Sequence, residues 1–158
     1  MENETYFEIK DNPEKTAILL KKPVEVSRYL ELYTKVGKNW NWTDRLLMDP
    51  NELYKLINSP ENEIYVFHFR GKEVGYVELV HKNKYIEIQY FGLFTEFIGK
   101  GLGKYFFSWV INKAWSYKPE FLQLDTCGLD HENALELYKS LGFKEYRKKI
   151  ENKRIFIK

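Results

Sequence analysis

The sequence contains little of several features that define large classes of protein. Its 158 residues include a single cysteine, Cys127, which excludes an internal disulfide and fits a reducing, cytoplasmic environment. Charged residues interrupt every apolar run well before the roughly 18 residues that a membrane-spanning helix needs, so we expect no membrane partner. The polar start Met1–Glu4 does not have the form of a signal peptide.

An excess of charge of one sign is also missing. Lys and Arg together number 25 and Asp and Glu number 23, which gives a net charge of +2. This near balance argues against a protein built mainly to bind nucleic acid. His68 and His131 have no neighbours at metal-ligand spacing, so we expect no metal site.

The chain does contain enough hydrophobic residues to form one core. Hydrophobic residues make up 44% of the sequence, and its length suits a single domain. No repeat or Pro/Gly/Ser-rich linker divides the chain, so we predict one domain over residues 1–158. Within it, residues 1–14 are predicted to be an irregular, polar N-terminal extension.

Apolar periodicity and turn residues predict the order β-α-α-β-β-β-α-β-α-β-β. The strands are predicted at Thr16–Leu20, Ile64–Phe69, Val74–Val80, Tyr85–Leu93, Phe121–Thr126, Phe143–Lys149 and Arg154–Ile157. The helices are predicted after Pro23, after Asp49, after the glycines at 99–103, and after Asp130 as N-cap, the last ending at Gly142. This order predicts an α/β (α+β) domain with a central mixed, mostly antiparallel sheet flanked by helices.

Three glycines at alternate positions lie between a predicted strand and a predicted helix, in the segment Gly99–Lys104. Glycines allow backbone N–H groups to approach a ligand, and a helix N-terminus adds free donors and partial positive charge. The first turn contains two lysines and no acid, so the loop suits an anion such as a pyrophosphate. The alternative is a tight turn that lets the helix pack closely on the sheet.

Two other nucleotide-binding loops fit this segment poorly. A Walker loop requires Ser or Thr after its lysine, whereas Tyr105 follows Lys104. A dinucleotide-binding fingerprint requires a third glycine at position 106, which is Phe106.

Two motifs together resemble the GNAT superfamily of N-acetyltransferases. The stretch Ile98–Gly103 is similar to the family's Gln/Arg-x-x-Gly-x-Gly/Ala motif, and Ala134–Phe143 is similar to its Ala-x-x-Leu-Tyr-x-x-x-Gly-Phe signature. The resemblance covers the chain from about residue 15. The sequence departs from the family at Ile98, where Gln or Arg is usual, and at His131, where Asn is usual and Asn133 lies out of register.

The resemblance implies acetyl-coenzyme A as co-substrate and an amine, on a small molecule or a protein terminus, as acceptor in a direct ternary complex. It places the coenzyme at Gly99, Lys100, Gly101, Leu102, Gly103 and Lys104, at the strand backbone of Phe91, Gly92 and Leu93, and near His131 and Asn133. It also admits a homodimer. A catalytically silent coenzyme-binding module and a structural protein without coenzyme are the competing classes.

The resemblance also implies two catalytic residues. Tyr138 matches the tyrosine that protonates the departing thiolate; the alternative is a tyrosine that only packs in the core. Glu87 matches a general-base glutamate on the strand before the glycine loop, with Glu78 or water as the alternative base. Strand alternation puts Glu87 and Gln89 on one face, and Ile86, Ile88 and Tyr90 on the other.

The stretch between the first two helices is rich in aromatic residues. Trp40, Trp42 and Arg45 lie there, in a region that often walls the acceptor site of related enzymes. Tryptophan rings bind ammonium or apolar groups, so these residues are predicted to contact the acceptor. The alternative is a loop whose aromatic residues only pack together.

Overall fold

The computed structural model describes residues 12–38, 42–126, 134–143, 145–149 and 154–157. The elements are β1 (Lys15–Leu19), α1 (Val26–Gly37), α2 (Pro50–Ile57), β2 (Asn62–Phe69), β3 (Lys72–His81), β4 (Tyr85–Leu93), α3 (Leu102–Ser116), β5 (Phe121–Thr126), α4 (Ala134–Ser140), β6 (Glu145–Lys149) and β7 (Arg154–Ile157). The predicted element order is confirmed. The predicted N-cap Asp130, and all of the predicted extension except residues 12–14, lie outside the described residues.

The described strands form one sheet in the order β1-β2-β3-β4-β5-β7-β6. Only the β4–β5 pair is parallel, so the sheet is mixed and mostly antiparallel, as predicted. The two-residue turn between β2 and β3 consists of Arg70 and Gly71, both with positive φ (51° and 80°). Two such residues match the right-handed twist of antiparallel strands, which explains why β2 and β3 form a tight hairpin.

Local chemistry also sets the helix ends. Asp49 caps α2, because its carboxylate accepts hydrogen bonds from the backbone N–H groups of Asn51 (3.1 Å) and Glu52 (3.2 Å). Pro50 then occupies the first helical position, where its missing N–H is not needed. After α4, Gly142 has φ +103°, the predicted left-handed end of that helix.

The sheet separates two cores. On one face, α3 and α4 cover a cluster that includes Phe67, Ile88 and Phe107. On the other face, α1 and α2 cover a cluster that includes Tyr33 and Val66. Neighbouring residues such as Val66 and Phe67 belong to different clusters, because successive side chains of a strand point to opposite faces.

A bulge in β4 changes this alternation. Glu78 of β3 pairs with Tyr90, but the next residue, Leu79, pairs with Ile88, so Gln89 is an extra residue in β4. The ring of Tyr90 therefore lies on the α1 face, 5.2 Å from the ring of Tyr33. The prediction that Tyr90 shares a face with Ile86 and Ile88 is wrong, because period-two alternation does not continue through a bulge.

A polar cluster joins the C-terminal end of α3 to β2 and β3. Glu63 accepts hydrogen bonds from Tyr117 Oη (3.0 Å) and Tyr65 Oη (3.3 Å), and its other oxygen contacts His81 Nε2. Burial opposes ionisation of Glu63, but the hydrogen bonds from His81 and Tyr117 prevail and lower the pKa of the carboxyl below its ordinary value.

This lowered pKa predicts acid-sensitive stability. The folded state binds fewer protons than the unfolded state, so the contribution is present above the unfolded pKa of Glu63 and is lost as pH falls through its folded pKa. We expect E63Q to lower the free energy of unfolding by about 1–2 kcal/mol at neutral pH, since a hydrogen bond to a charged group is lost. Denaturant unfolding at neutral and acidic pH measures this. A difference between wild type and E63Q that does not shrink in acid would contradict the assignment.

Candidate functional site

The backbone pairing between β4 and β5 stops before either strand ends. Residues Tyr85–Ile88 pair with Phe121–Leu124, and from Leu124 onward β5 pairs on its other side with β7. In the described parts of the chain, Phe91–Leu93 pairs with β3 and not with β5. Among the described residues, the edge of β4 that faces β5 therefore has no backbone partner at the positions predicted to bind the coenzyme arm.

Position 92, in this open stretch, has to be glycine for a reason that the sequence alone does not show. A Cβ on Gly92 would be 2.3 Å from Cγ1 of Val36 on α1, and a Cβ on Gly75 would be 2.3 Å from the carbonyl oxygen of Gly92. Helix α1 and strand β3 thus both approach the β4 backbone too closely for a side chain. Val36 therefore requires glycine at position 92, and the predicted contact of Gly92 with a coenzyme stays a prediction.

The glycine loop leads into α3 with its backbone donors exposed. Gly99 and Gly101 have φ of +84° and +78°, which favours glycine, and a Cβ on either would meet no atom within 4 Å. Gly101 is the N-cap of α3, and its helix has no side-chain cap and no acid in its first turn. The residues present therefore fit a bound pyrophosphate, which such a helix N-terminus stabilises through N–H groups and partial positive charge.

Three elements meet at the start of α3. A Cβ on Gly103 would lie 3.8 Å from Cδ2 of Leu137 on α4 and 3.9 Å from Cδ1 of Leu93 at the end of β4. The next residue of α4, Tyr138, is buried, and its ring is 4.8 Å from that of Phe107 on α3. Tyr138, the predicted acid, thus follows a residue that lies beside the glycine loop, and its ring packs on α3. Burial of this ring is expected both for a catalytic tyrosine and for one that only packs in the core.

The two candidate bases have different surroundings. Glu87 is on β4 opposite Gln123, in the last paired stretch before the strands separate. Its side chain is 13% exposed, and its Oε2 lies 3.8 Å from Lys82 Nζ. The side chain of Glu78 is 0% exposed and is paired with Arg45 at 3.3 Å. Solvent therefore reaches part of the Glu87 side chain but not that of Glu78.

The predicted acceptor residues pack on the α1 face of β4. The ring of Trp42 is 5.7 Å from that of Tyr33 and 5.2 Å from that of Tyr90. The Arg45 guanidinium lies 5.2 Å from the Tyr90 ring centroid, and its Nε donates to Tyr29 Oη at 3.1 Å. Trp40, like His131 and Asn133, lies outside the described residues.

Sequence reasoning missed the polar network beneath these rings. Burial disfavours the charged form of Arg45, but the neighbouring Glu78 carboxylate outweighs it and raises the pKa of the guanidinium. Burial and the same carboxylate raise the pKa of the Tyr29 phenol. The one signal in the sequence is a lone glutamate inside an otherwise apolar strand, in the run Val77–Val80.

No group of three or more His, Cys, Asp or Glu side chains among the described residues is placed to hold a metal ion. No helix in the described ranges has the length and apolar character needed to cross a membrane.

Comparison with known proteins gives a family and a fold. The family model described as "Acetyltransferase (GNAT) family" matches residues 28–143. No curated protein matches the chain in sequence.

Several solved structures share the fold at low identity. A GNAT family acetyltransferase from Elizabethkingia anophelis with acetyl-CoA bound is 16% identical, with a TM-score of 0.68 over 92% of this chain and 97% of that one. The ribosomal-protein-alanine N-acetyltransferase from Escherichia coli is 14% identical, with a TM-score of 0.64 over 90% of each chain. An aminoglycoside acetyltransferase from an uncultured soil metagenomic sample is 16% identical, with a TM-score of 0.67 over 87% and 93%.

The glycine loop gives a prediction with a matched control. Gly101 and Gly71 both have φ near +80° and open space around a Cβ, so alanine at either position is strained by a similar amount, about 1–2 kcal/mol. Only Gly101 caps α3. We expect G101A to weaken acetyl-CoA binding at least about tenfold, or about 1.4 kcal/mol, and G71A to leave it unchanged.

Titration calorimetry measures the affinity, and thermal unfolding checks that the two variants are equally destabilised. Equal affinity of a folded G101A and of G71A for acetyl-CoA would place the coenzyme elsewhere.

Proposed function

This chain belongs to the GNAT family of acetyltransferases, and we infer that it transfers the acetyl group of acetyl-coenzyme A to an amine in a direct ternary complex. One observation carries the inference. The β4 edge opens beyond Ile88 at the same end of the sheet where the uncapped N-terminus of α3 begins. A backbone edge and a helix N-terminus side by side suit a ligand that has an amide-containing arm joined to a pyrophosphate.

Coenzyme binding in this proposal uses mainly backbone groups. The N–H groups of Gly99–Lys104 hold the pyrophosphate, with the ammonium groups of Lys100 and Lys104 nearby. The free edge at Phe91–Leu93 pairs with the arm as an added strand would. The proposal also assigns His131 and Asn133 to the pantetheine side.

The reaction requires three proton and charge movements. The amine nitrogen attacks the thioester carbonyl carbon, and its proton passes to Glu87, directly or through water. A backbone N–H within Phe91–Leu93 donates to the oxyanion that forms. The carbon–sulfur bond then breaks, and Tyr138 donates its phenolic proton to the departing thiolate. Glu78 and water remain the alternative bases for the first step.

The acceptor approaches, in this proposal, along the α1 face of β4. Trp42 and Tyr90 present aromatic surfaces there, and an ammonium or apolar group binds well to such surfaces. One structural neighbour is described as an aminoglycoside acetyltransferase and another as an enzyme for a ribosomal-protein alanine. Both a small amine and a protein terminus therefore belong in the acceptor screen.

Thiol release from acetyl-CoA with a panel of such amines tests the activity. The best acceptor then tests Tyr138, because phenylalanine preserves the ring that packs on Phe107 and removes only the hydroxyl. We expect Y138F to lower turnover about 10²-fold, the scale of one general acid, with little change in coenzyme affinity or melting temperature.

The matched control is Y65F. Tyr65 is also buried in the α3-side core, but its hydroxyl bonds to Glu63 and to Tyr117 at the C-terminal end of α3, so we expect its variant to turn over normally. Full activity of a stable Y138F protein would leave Tyr138 as a core residue. If no amine is acetylated although acetyl-CoA binds, the chain is a silent coenzyme-binding module instead.

Glu87 gives a separate prediction about pH. E87Q keeps the shape of the side chain but accepts no proton, so we expect turnover at saturating substrates to fall about 10²-fold and the acidic limb of the pH–rate profile to disappear. E63Q is the control carboxylate, because Glu63 lies on β2, on the opposite face of the sheet from Glu87. A turnover for E87Q within a few-fold of wild type across pH, where typical base catalysis gives about 10²-fold, would assign the base to Glu78 or water.

A further inference from the structure

The α1 face of the sheet contains a buried ion pair between Glu78 and Arg45, and the proposed chemistry uses Glu78 only as an alternative base. Glu78 accepts hydrogen bonds from Tyr29 Oη, from Asn62 Nδ2 at 2.8 Å and from Arg45 Nη2 at 3.3 Å. Its side chain is 0% exposed and that of Arg45 is 13% exposed. Removal of one partner from such a pair leaves the other charge buried and uncompensated, which is strongly unfavourable. Arg45 is therefore held to this position in the folded protein.

The position of Arg45 also fixes the position of the chain segment around it. The 42–48 segment, between α1 and α2, is attached by the backbone N–H of Arg45, which donates to Tyr33 Oη at 3.4 Å, and by that of Trp42, which donates to Gly37 O at 3.1 Å. A Cβ on Gly37 would be 2.6 Å from Cβ of Trp42, so α1 has space for Trp42 only because residue 37 is glycine. The ion pair, the hydrogen bonds and this contact all fix the same segment.

The segment in turn shapes the proposed acceptor wall. Glu78 and Tyr90 are cross-strand partners, so the carboxylate lies directly beside the residue on which Trp42 and Arg45 stack. Because its charge is already matched by Glu78, the guanidinium is a poor receptor for an anionic group on an acceptor.

Glu78 is also poorly placed to act as a base. A general base must come within hydrogen-bond distance of the proton that it removes. The Glu78 carboxylate is fully buried and already receives three donors, whereas Glu87 is partly exposed.

We propose that Glu78 is a positioning residue for the amine acceptor: it holds Arg45, and through Arg45 it keeps Trp42 against Tyr90. The role in acceptor binding rests on the proposed function. The attachment of the 42–48 segment by Glu78 does not, so the two are tested separately.

The kinetic test uses E78Q, R45Q and the double variant, with E73Q as matched control. Glu73 also joins α1 to β3, through an ion pair with Arg28, but with a different pair of side chains. We expect KM for the acceptor to rise at least about fivefold in E78Q and in R45Q, and the double variant to be no worse than either single one, since contacting residues are not additive. The Kd for acetyl-CoA and all parameters of E73Q stay at wild-type values.

The structural test is amide hydrogen exchange of the folded variants. Exchange at Trp42, Arg45 and Leu47 reports the attachment of the segment directly, because their N–H groups bond to Gly37, Tyr33 and Thr43. We expect faster exchange at these amides in E78Q and R45Q and no change in E73Q. If E78Q does not fold, R45K decides, because it keeps the positive charge but lacks the fork that contacts Tyr29 and Glu78 together.

Two results would overturn the proposal. Unchanged amide exchange and an unchanged KM for the acceptor in a folded E78Q or R45K would show that the Glu78–Arg45 pair only contributes to packing. A loss of about 10²-fold in turnover with unchanged acceptor KM and a lost acidic limb would make Glu78 the base. If wild type acetylates no amine, the proposed function fails, and the exchange measurement still decides whether Glu78 holds the segment.

Discussion

The end of the β4–β5 pairing at Ile88 and Leu124 determines where the rest of the site lies. Strand β5 pairs on its other side with β7, and none of the described residues of β5 pairs with β4 beyond Ile88. The connection from β4 back to β5 runs through α3, and only residues 94–101 separate the end of β4 from the start of that helix. With so short a connection, the N–H groups at the start of α3 must lie near the open edge. One interruption of backbone pairing therefore creates both halves of the proposed coenzyme site.

The bulge at Gln89 gives the two faces of β4 different chemistry. Before it, Ile86 and Ile88 point into the core beneath α3, and after it, Tyr90 points towards α1. The α3 face of β4 is apolar, which suits the packing of a helix against it. The α1 face combines aromatic rings with a buried ion pair, which suits side-chain recognition. Without the extra residue, Tyr90 would lie under α3, and the 42–48 segment would have no aromatic ring of β4 to pack on.

Much of the fold was predictable because its signals are local. The turn at Arg70–Gly71, the N-cap Asp49 and the glycine after α4 each act through neighbouring residues, and the strands and helices follow from them. The bounds of β4, β5 and β7 are as predicted, whereas those of the other strands differ by one or two residues at an end. For example, β2 begins at Asn62, because that residue pairs with Val80. The bulge and the Arg45–Glu78 pair were not predictable, since they depend on partners distant in sequence. The need for glycine at position 92 likewise depends on Val36, on a helix far away in the chain.

In the proposed site, backbone groups bind the coenzyme and side chains bind the acceptor, and this difference determines which positions tolerate substitution. A cradle of N–H groups requires particular backbone conformations, so it constrains positions such as Gly99 and Gly101 and few others. The proposed acceptor wall of Trp42, Tyr90 and a matched ion pair depends on side chains from the 42–48 segment, β3 and β4. Solved structures only 14–16% identical to this chain keep the fold. Two of them are named for acceptors as different as a ribosomal-protein alanine and an aminoglycoside. A fold that binds one ligand through its backbone is free to vary the side chains that select the other.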